Sequence, residues 1–200
     1  MLVDWLANKW AVNDPLPHRC DLLVPVAHGA TSDRLTCGAE SVARKTVEIR
    51  SQLRGIGQLP YLVFGAFTGS EKPELEKVEK HKIFRTGKYV GTVISTIEEC
   101  LKVKRNLPDG FTPRNIVVVT DEAHSRRCRI VWRTFFPQSN VKMISVKLSD
   151  AIDAKSPMTA YGNPWKALFF QAGPTPVYWL FSRGGAKCLS RLSHLHTPTK

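Results

Sequence analysis

The sequence lacks the motifs that identify several common enzyme classes. It contains no G-x-S-x-G nucleophile elbow, no Walker A pattern and no G-x-G-x-x-G fingerprint. No motif therefore assigns the reaction of a serine hydrolase, a P-loop nucleotidase or a classical dinucleotide-dependent enzyme, and no cofactor is named by the sequence.

Cysteine pairs and clustered metal ligands are also missing. The five cysteines are an odd number with no C-x-x-C spacing, which argues against a disulfide framework and against a zinc site. We expect reduced thiols. Cys128 has arginine neighbours, so two interpretations stay open: an activated thiolate if it is exposed, or a small buried helix residue. The tail pair His194 and His196 has no further ligands, so we predict no metal site.

Long apolar runs are absent as well. A long uncharged stretch, Ala167 to Phe181, has fifteen residues and contains two prolines, whereas a membrane-spanning helix needs about twenty apolar residues. This stretch is expected to belong to the core or to a segment that docks on a surface. The N-terminal MLVDWLANKW does not resemble a signal peptide, which predicts a cytoplasmic protein.

Acidic residues are scarce in the second half of the chain. Residues 111 to 200 hold 13 Lys and Arg against 4 Asp and Glu, and the whole chain has a formal net charge of +12. An anionic partner is expected. The charge alone does not decide whether it is a phosphorylated small molecule, nucleic acid or an acidic membrane surface.

What the sequence does contain is an alternation of short apolar runs with helical periodicity, which predicts an α/β fold with a mostly parallel sheet. With 200 residues and 42% apolar content, the chain is predicted to be a single domain, with an α/β core over 20–150 and a C-terminal extension over 151–200. The predicted strands are Asp21–Ala27, Tyr61–Gly65, Lys88–Val93, Asn115–Val119 and Val141–Val146, and the predicted helices span about 35–53, 96–107 and 121–134.

Polar residues follow each of the first four strands. Parallel α/β sheets bind ligands at the carboxyl ends of their strands, beside helix N-termini with free amides. Hydroxyls, glycines and arginines converging there are typical of a phosphate or carboxylate site. These residues are His28, Gly29, Thr31, Ser32 and Arg34, then Gly65, Thr68, Gly69, Ser70 and Glu71, then Gly91, Thr92, Ser95 and Thr96, then 120–128.

Structural roles are alternatives for several of these residues. Ser32 and Thr96 fit as ordinary helix N-caps, Asp121 fits as the cap of the helix after the fourth strand, and Glu122 suits the positive end of that helix. His28, at a strand end, fits a hydrogen-bonded structural imidazole.

His124 and Arg127 favour a functional role. If a helix begins near Asp121, they lie three residues apart on one face of its first two turns, toward the crevice. An imidazole there can exchange a proton near neutral pH, and a guanidinium can hold an oxyanion through two hydrogen bonds.

The succession of these residues resembles the ElyC/SanA/YdcF family of bacterial domains. The matching positions, over roughly residues 20 to 150, are Gly29, Arg34, Ser70, Glu71, Thr96, Thr120, His124 and Arg127. The resemblance implies a Rossmann-like three-layer sandwich with a ligand site at the strand ends. The family's biochemical activity is largely undefined, and nucleotide-type ligands have been suggested for some members.

The resulting hypothesis is a domain that binds a small anionic ligand and acts on it as a hydrolase or transferase. Arg34 and Arg127 would hold the anion, His124 would be the general acid or base, and Glu71 would orient His124 or a water. The remaining predicted ligand-binding residues are Gly29, Ser32, Ser70, Thr96 and Thr120. The alternative is a non-catalytic module whose basic half contacts nucleic acid, which is less favoured, or an anionic membrane surface.

Overall fold

The computed structural model describes residues 2–31, 34–67 and 86–192. The predicted Ser32, Ser70 and Glu71, and the pair His194 and His196, lie outside the described residues. Within those ranges, the helices are α1 (Leu2–Trp10), α2 (Cys37–Gly55), α3 (Thr96–Arg105), α4 (Ser125–Phe135), α5 (Leu148–Ala151), α6 (Pro164–Ala172), α7 (Thr175–Ser182) and α8 (Gly185–Ser190), with a 3-10 turn at Thr159–Gly162. The strands are β1 (Leu22–Pro25), β2 (Tyr61–Phe67), β3 (Lys88–Val93), β4 (Asn115–Asp121) and β5 (Asn140–Val146).

The five strands form one sheet in the order β3-β2-β1-β4-β5, and all of its described pairings are parallel. The predicted α/β class is confirmed, and the architecture is Rossmann-like. The order reverses at β1: the chain moves outward to β2 and β3, then crosses back to place β4 on the other side of β1. The loops after β1 and β4 consequently diverge and leave a crevice between them.

Alternating side chains of the central strands point to two separate cores. Leu22 and Val24 pack with α3 and α4 on one face, whereas Leu23 packs with α2 on the other. Because successive side chains of a strand point to opposite faces, a continuous apolar run is what a sheet covered on both sides requires. Helices on both faces make this a three-layer sandwich.

Pro25 is accommodated at the end of the central strand β1. Its register partner is Val119 of β4, while the described pairing of β1 with β2 covers only Leu22 and Leu23. The missing N–H of proline therefore falls where pairing on the β2 side has ended.

A third apolar cluster joins α1 to α5, the 3-10 turn and α6. Val3 and Ala7 of α1 pack with Leu148, Tyr161, Ala167 and other residues of α5, the 3-10 turn and α6. Farther along, α7 and α8 pack against α4. The described residues between 151 and 192 thus contact the rest of the protein, and α1 packs with α5 and α6.

Two helix starts differ from the prediction. The N-cap of α3 is Ser95, whose Oγ accepts the N–H of Glu98 at 3.2 Å, so Thr96 is the first helical residue instead of the cap. The helix after β4 begins at Ser125, because β4 continues to Asp121 and residues 122–124 form a turn. Asp121 Oδ1 accepts the N–H of His124 at 3.1 Å, so it caps that turn rather than α4 itself.

Candidate functional site

A cavity of about 680 Å³ opens at the carboxyl ends of the strands. Its polar wall includes His124 and Arg127 from the β4–α4 segment, and Ser95, Thr96 and Glu99 from the start of α3. Much of the remaining wall is apolar and consists of Val26, Ala27, Phe67, Val93, Phe169, Phe170 and Tyr178. Lys166 adds one cationic side chain to this wall. Largely apolar clefts with a few convergent polar groups are typical of ligand sites.

Arg127 is the most unusual residue of this wall. It is only 7% exposed, and no carboxylate of the described residues lies within the 4.0 Å of an ion pair. Its Nη2 donates to His124 Nε2 at 3.2 Å, its Nε has no hydrogen-bond partner among the described residues, and it lies over the rings of Phe170 (5.9 Å) and Tyr178 (5.5 Å). Buried charges are normally paired, and this guanidinium retains an N–H that an oxyanion can accept.

His124 is buried beside Arg127, and the proton on its ring can be placed by elimination. A guanidinium only donates hydrogen bonds, so Nε2 is the acceptor and the proton of a neutral ring belongs on Nδ1. The Thr96 hydroxyl lies 2.8 Å from Nε2, and the Thr120 hydroxyl lies 3.5 Å from Nδ1. Burial, Arg127 and His28 together hold the pKa of His124 well below 6.5. The imidazole is therefore neutral at pH 7, and its acceptor nitrogen Nε2 faces Arg127 and Thr96 at the cavity wall.

Behind His124 lies a polar group that the sequence did not reveal. Tyr161 Oη donates to Asp121 Oδ2 at 2.8 Å and accepts from Gln171 Nε2 at 2.9 Å. Burial and Asp121 raise the pKa of Tyr161 well above 10, so the phenol keeps its proton. The backbone N–H of His124 donates to the other oxygen of Asp121. The carboxylate thereby fixes the turn that carries His124.

His28 completes this group from the end of β1. Its Nε2 lies 3.5 Å from Asp121 Oδ2 but has no hydrogen-bond partner among the described residues. Burial lowers the pKa of His28, and the Asp121 charge opposes that shift. Its ring is edge-on to those of His124 (6.3 Å) and Tyr161 (5.7 Å). A Cβ on Gly38 would stand 3.2 Å from His28 Nδ1, so glycine lets α2 approach this ring closely.

One metal-binding arrangement occurs within the described ranges. Ligand atoms of His28, Asp121 and His124 lie within 4.8 Å of one another. Both Asp121 oxygens already accept hydrogen bonds, and the Arg127 charge acts on His124, which lowers the affinity of these atoms for a cation. The electrostatics at His124 favour an anion.

The remaining predicted site residues have other partners. Arg34 binds Asp153 through both of its terminal nitrogens (2.7 and 3.1 Å), and it is not among the described residues that line the cavity. The prediction that Arg34 lies beside His124 and Arg127 on a common anion is therefore corrected. Asp153 also accepts the N–H of Cys37, the first residue of α2, at 3.0 Å. Burial alone would raise the pKa of Asp153, but Arg34 and the backbone N–H groups of Lys155 and Cys37 lower it to about 2.

Gly29 and Thr120 support the site from outside its surface. Gly29 has a φ of 94°, a left-handed conformation that favours glycine, and its carbonyl accepts the N–H of Thr36, the N-cap of α2. Thr120 is fully buried in β4 behind His124.

Cys128 is also buried, and burial raises the pKa of its thiol well above 9. The interpretation as a small helix residue is thus the correct one, and all five cysteines are free.

Several site residues were missed because their positions depend on tertiary contacts. Glu99, Tyr161, Gln171 and Tyr178 carry no local motif, and three of them come from the weakly periodic segment after residue 150. The only signal in the sequence was that two acids, Glu98 and Glu99, follow Thr96 where a capping box needs one. Glu98 accepts the N–H of Ile94 and completes the cap. Glu99 points inward and accepts the N–H of Ala27 at 3.0 Å.

Comparison of the chain with models of protein families, with curated proteins and with solved structures finds no match in any of the three. No helix among the described residues is long and apolar enough to cross a membrane.

Proposed function

We propose that this protein binds a small anionic ligand, of phosphate or nucleotide type, in the cavity at the strand ends and acts on it as a hydrolase or transferase. The observation that carries the proposal is Arg127, a buried guanidinium that faces the cavity without a carboxylate partner among the described residues. A phosphate oxygen accepting its unpaired Nε–H would supply the missing charge and the missing hydrogen bond.

The start of α3 supports the same ligand chemistry. Ser95 and Thr96 line the cavity at the N-terminus of a ten-residue helix, where backbone amides and the helix dipole favour negative charge. This N-terminus and Arg127 face the same cavity. An anion between them meets positive potential from two elements.

His124 is assigned the proton transfer. When Arg127 turns its Nη2–H from His124 to the phosphate, the Nε2 lone pair of the neutral imidazole becomes available. It then accepts the proton of a water or substrate hydroxyl as that oxygen bonds to phosphorus and the bond to the leaving group breaks. Arg127 holds the charge that develops on the phosphoryl oxygens. Thr96 fixes the ring through its hydroxyl. The ElyC/SanA/YdcF resemblance, which remains a prediction, assigns a ligand to the same end of the sheet.

The test measures binding and turnover separately. Inorganic phosphate and AMP serve as binding probes in calorimetry, and p-nitrophenyl phosphate serves as the turnover probe. We expect Arg127→Met to weaken binding about ten- to a hundredfold, since a charge-assisted hydrogen bond contributes roughly 1.5 to 3 kcal/mol. His124→Gln should keep binding and lose turnover about a hundredfold or more. Arg54→Ala, an exposed arginine of α2, is the control; equal losses in this variant, or none in Arg127→Met, would refute the proposal.

A groove between α4 and α7 favours a second candidate, a polyanion interface without catalysis. It is lined by Arg126, Arg129 and Arg133 together with Trp179. Salt separates the candidates, because an interface with several phosphate contacts loses orders of magnitude in affinity between about 50 and 200 mM salt. A single buried phosphate pocket is screened far less.

A further inference from the structure

The two helices after the 3-10 turn have their large apolar side chains on the outside. In α6, Ala167, Leu168 and Gln171 are buried, whereas Trp165, Phe169 and Phe170 are 37%, 67% and 50% exposed. Helices on a water-facing surface normally show the reverse. This arrangement indicates that α6 has an apolar environment outside the protein.

The neighbouring α7 repeats the pattern. Thr175 and Tyr178 are buried, and Val177, Trp179 and Leu180 are 46%, 49% and 61% exposed. Apolar surface gathered on two consecutive helices exceeds the single exposed residues that are normal for proteins, and patches of this kind mark interaction sites. We call the outer side of α6 and α7, defined by Trp165, Phe169, Phe170, Val177, Trp179 and Leu180, the aromatic face.

The charge around the aromatic face identifies its partner as anionic. Residues 154 to 200 contain no Asp or Glu and six Lys or Arg, of which Lys166, Arg183 and Lys187 are exposed on or beside these helices. Arg183 lies over the Trp179 ring at 3.8 Å. Apolar and aromatic side chains flanked by basic ones are typical of helices that lie in the interface of an anionic bilayer. Nucleic acid fits less well, because Val177 and Leu180 gain nothing from a phosphate backbone.

The aromatic face is continuous with the cavity. Trp165, Phe169 and Phe170 line the cavity and are also exposed, so they form part of its mouth. Inside, a largely apolar wall leads to Arg127. A molecule that fills this space has a charged head and an apolar chain.

We infer that the aromatic face docks on the surface of an anionic phospholipid bilayer, and that the ligand of the cavity is a lipid with a phosphate headgroup. The second part rests on the proposed function and names its substrate class: the headgroup contacts Arg127, and the chain leaves past Phe169 and Phe170 toward the bilayer.

Docking is tested by flotation with vesicles of phosphatidylcholine alone and with about one third phosphatidylglycerol. We expect the protein to float with the anionic vesicles, and the double variant Phe169→Ser/Leu180→Ser to partition at least roughly tenfold less. The matched control is Ile56→Ser/Leu59→Ser, which removes two apolar side chains of similar exposure (57% and 71%) at the end of α2. Arg183→Gln/Lys187→Gln should lose roughly fivefold per charge on the anionic vesicles.

The lipid ligand is tested by comparing ethyl phosphate with octyl phosphate, which share one headgroup. Octyl phosphate should bind at least about thirtyfold more tightly, because its extra methylenes leave water for the apolar wall. Arg127→Met should weaken both ligands, whereas the protein should still float with anionic vesicles through the aromatic face, so failure of the phosphate site and failure of docking are distinguishable.

Four outcomes would overturn the inference. The first is absence of flotation, and the second is flotation that survives Phe169→Ser/Leu180→Ser. The third is equal affinity for the two alkyl phosphates. The fourth is that the protein self-associates or binds DNA instead of lipid, and that Phe169→Ser/Leu180→Ser abolishes this association.

Discussion

Replacing Arg127 by methionine should weaken ligand binding while leaving the stability of the free protein nearly unchanged. A buried charge that lacks an ionic partner costs about 3 to 5 kcal/mol. Against this, the hydrogen bond to His124 contributes roughly 1.5 to 3 kcal/mol, and the contacts with Phe170 and Tyr178 add about 0.5 to 1 kcal/mol each. The two sides nearly cancel, and a methionine in the same space has no charge to desolvate.

We therefore expect the Tm of Arg127→Met to stay within about 4 °C of that of the unmodified protein, since 1 kcal/mol corresponds to about 2 to 4 °C in a chain of this size. Differential scanning calorimetry without ligand measures this directly. The same scan with saturating phosphate should raise the Tm of the unmodified protein and not that of the variant, by mass action. Because the Arg127 charge helps to lower the pKa of His124, NMR titration of the variant should find that pKa moved upward.

A fall in Tm of more than about 5 °C, together with an unchanged phosphate response, would refute this reasoning. It would show that the guanidinium is a structural group satisfied by His124 and the rings alone. Arg127→Lys separates charge from shape: it keeps the positive charge and loses the planar fork, so it should retain a weakened phosphate response.

Burial lowers the pKa of His28 and His124 from 6.5, so below pH 6.5 the unfolded chain binds protons that the folded chain does not. Stability should therefore fall on acidification by up to about 1.4 kcal/mol per pH unit for each ring, and urea unfolding from pH 7 downward should show a shallower loss for His124→Gln; an equally steep loss in this variant would contradict the assignment. Tyr161→Phe should cost roughly 2 to 3 kcal/mol in the same assay, because it leaves a carboxylate oxygen and an amide buried without their partner; a loss below about 0.5 kcal/mol would contradict the hydrogen-bond network described. Arg34→Ala should lower stability and leave phosphate affinity within about twofold, since its partner is Asp153; a larger loss of affinity measured by calorimetry would return Arg34 to the ligand site. Thiol titration of the denatured protein should find five free cysteines, and three or fewer would contradict the free thiols of the structure.

The sheet could be predicted from the sequence because its strands are buried on both faces. Continuous apolar runs such as Ile116 to Val119 have few alternatives to a central parallel strand, and β3 begins and ends at the predicted residues. The boundaries at Asp121 and Ser95 were displaced because more than one residue nearby could cap, and only the tertiary contacts of Thr96 and His124 select among them.

The candidate site was predictable only where a motif follows a strand. His124 and Arg127 do so, and the structure brings both to the cavity wall. Arg34 follows a strand too, but Asp153 lies 119 residues farther along the chain and captures its guanidinium. Tyr161 occurs in a segment without periodicity, so no local pattern could connect it with Asp121, 40 residues earlier. Long-range ion pairs and hydrogen bonds of this kind have no signature in a single sequence.

The pairing of β1 with β4 has a consequence for biosynthesis. Leu22 and Ile116 are register partners, so more than ninety further residues must be synthesised after β1 before its second neighbour, β4, can pair with it. A further 40 residues must be synthesised after Asp121 before the Tyr161 hydroxyl can donate its hydrogen bond to that carboxylate. Chains that end before Tyr161 lack the hydrogen bond that holds Asp121 and, through it, the turn that carries His124. Binding of the proposed ligand should therefore require that this long-range contact has formed, and fragments ending before Tyr161 should lack it.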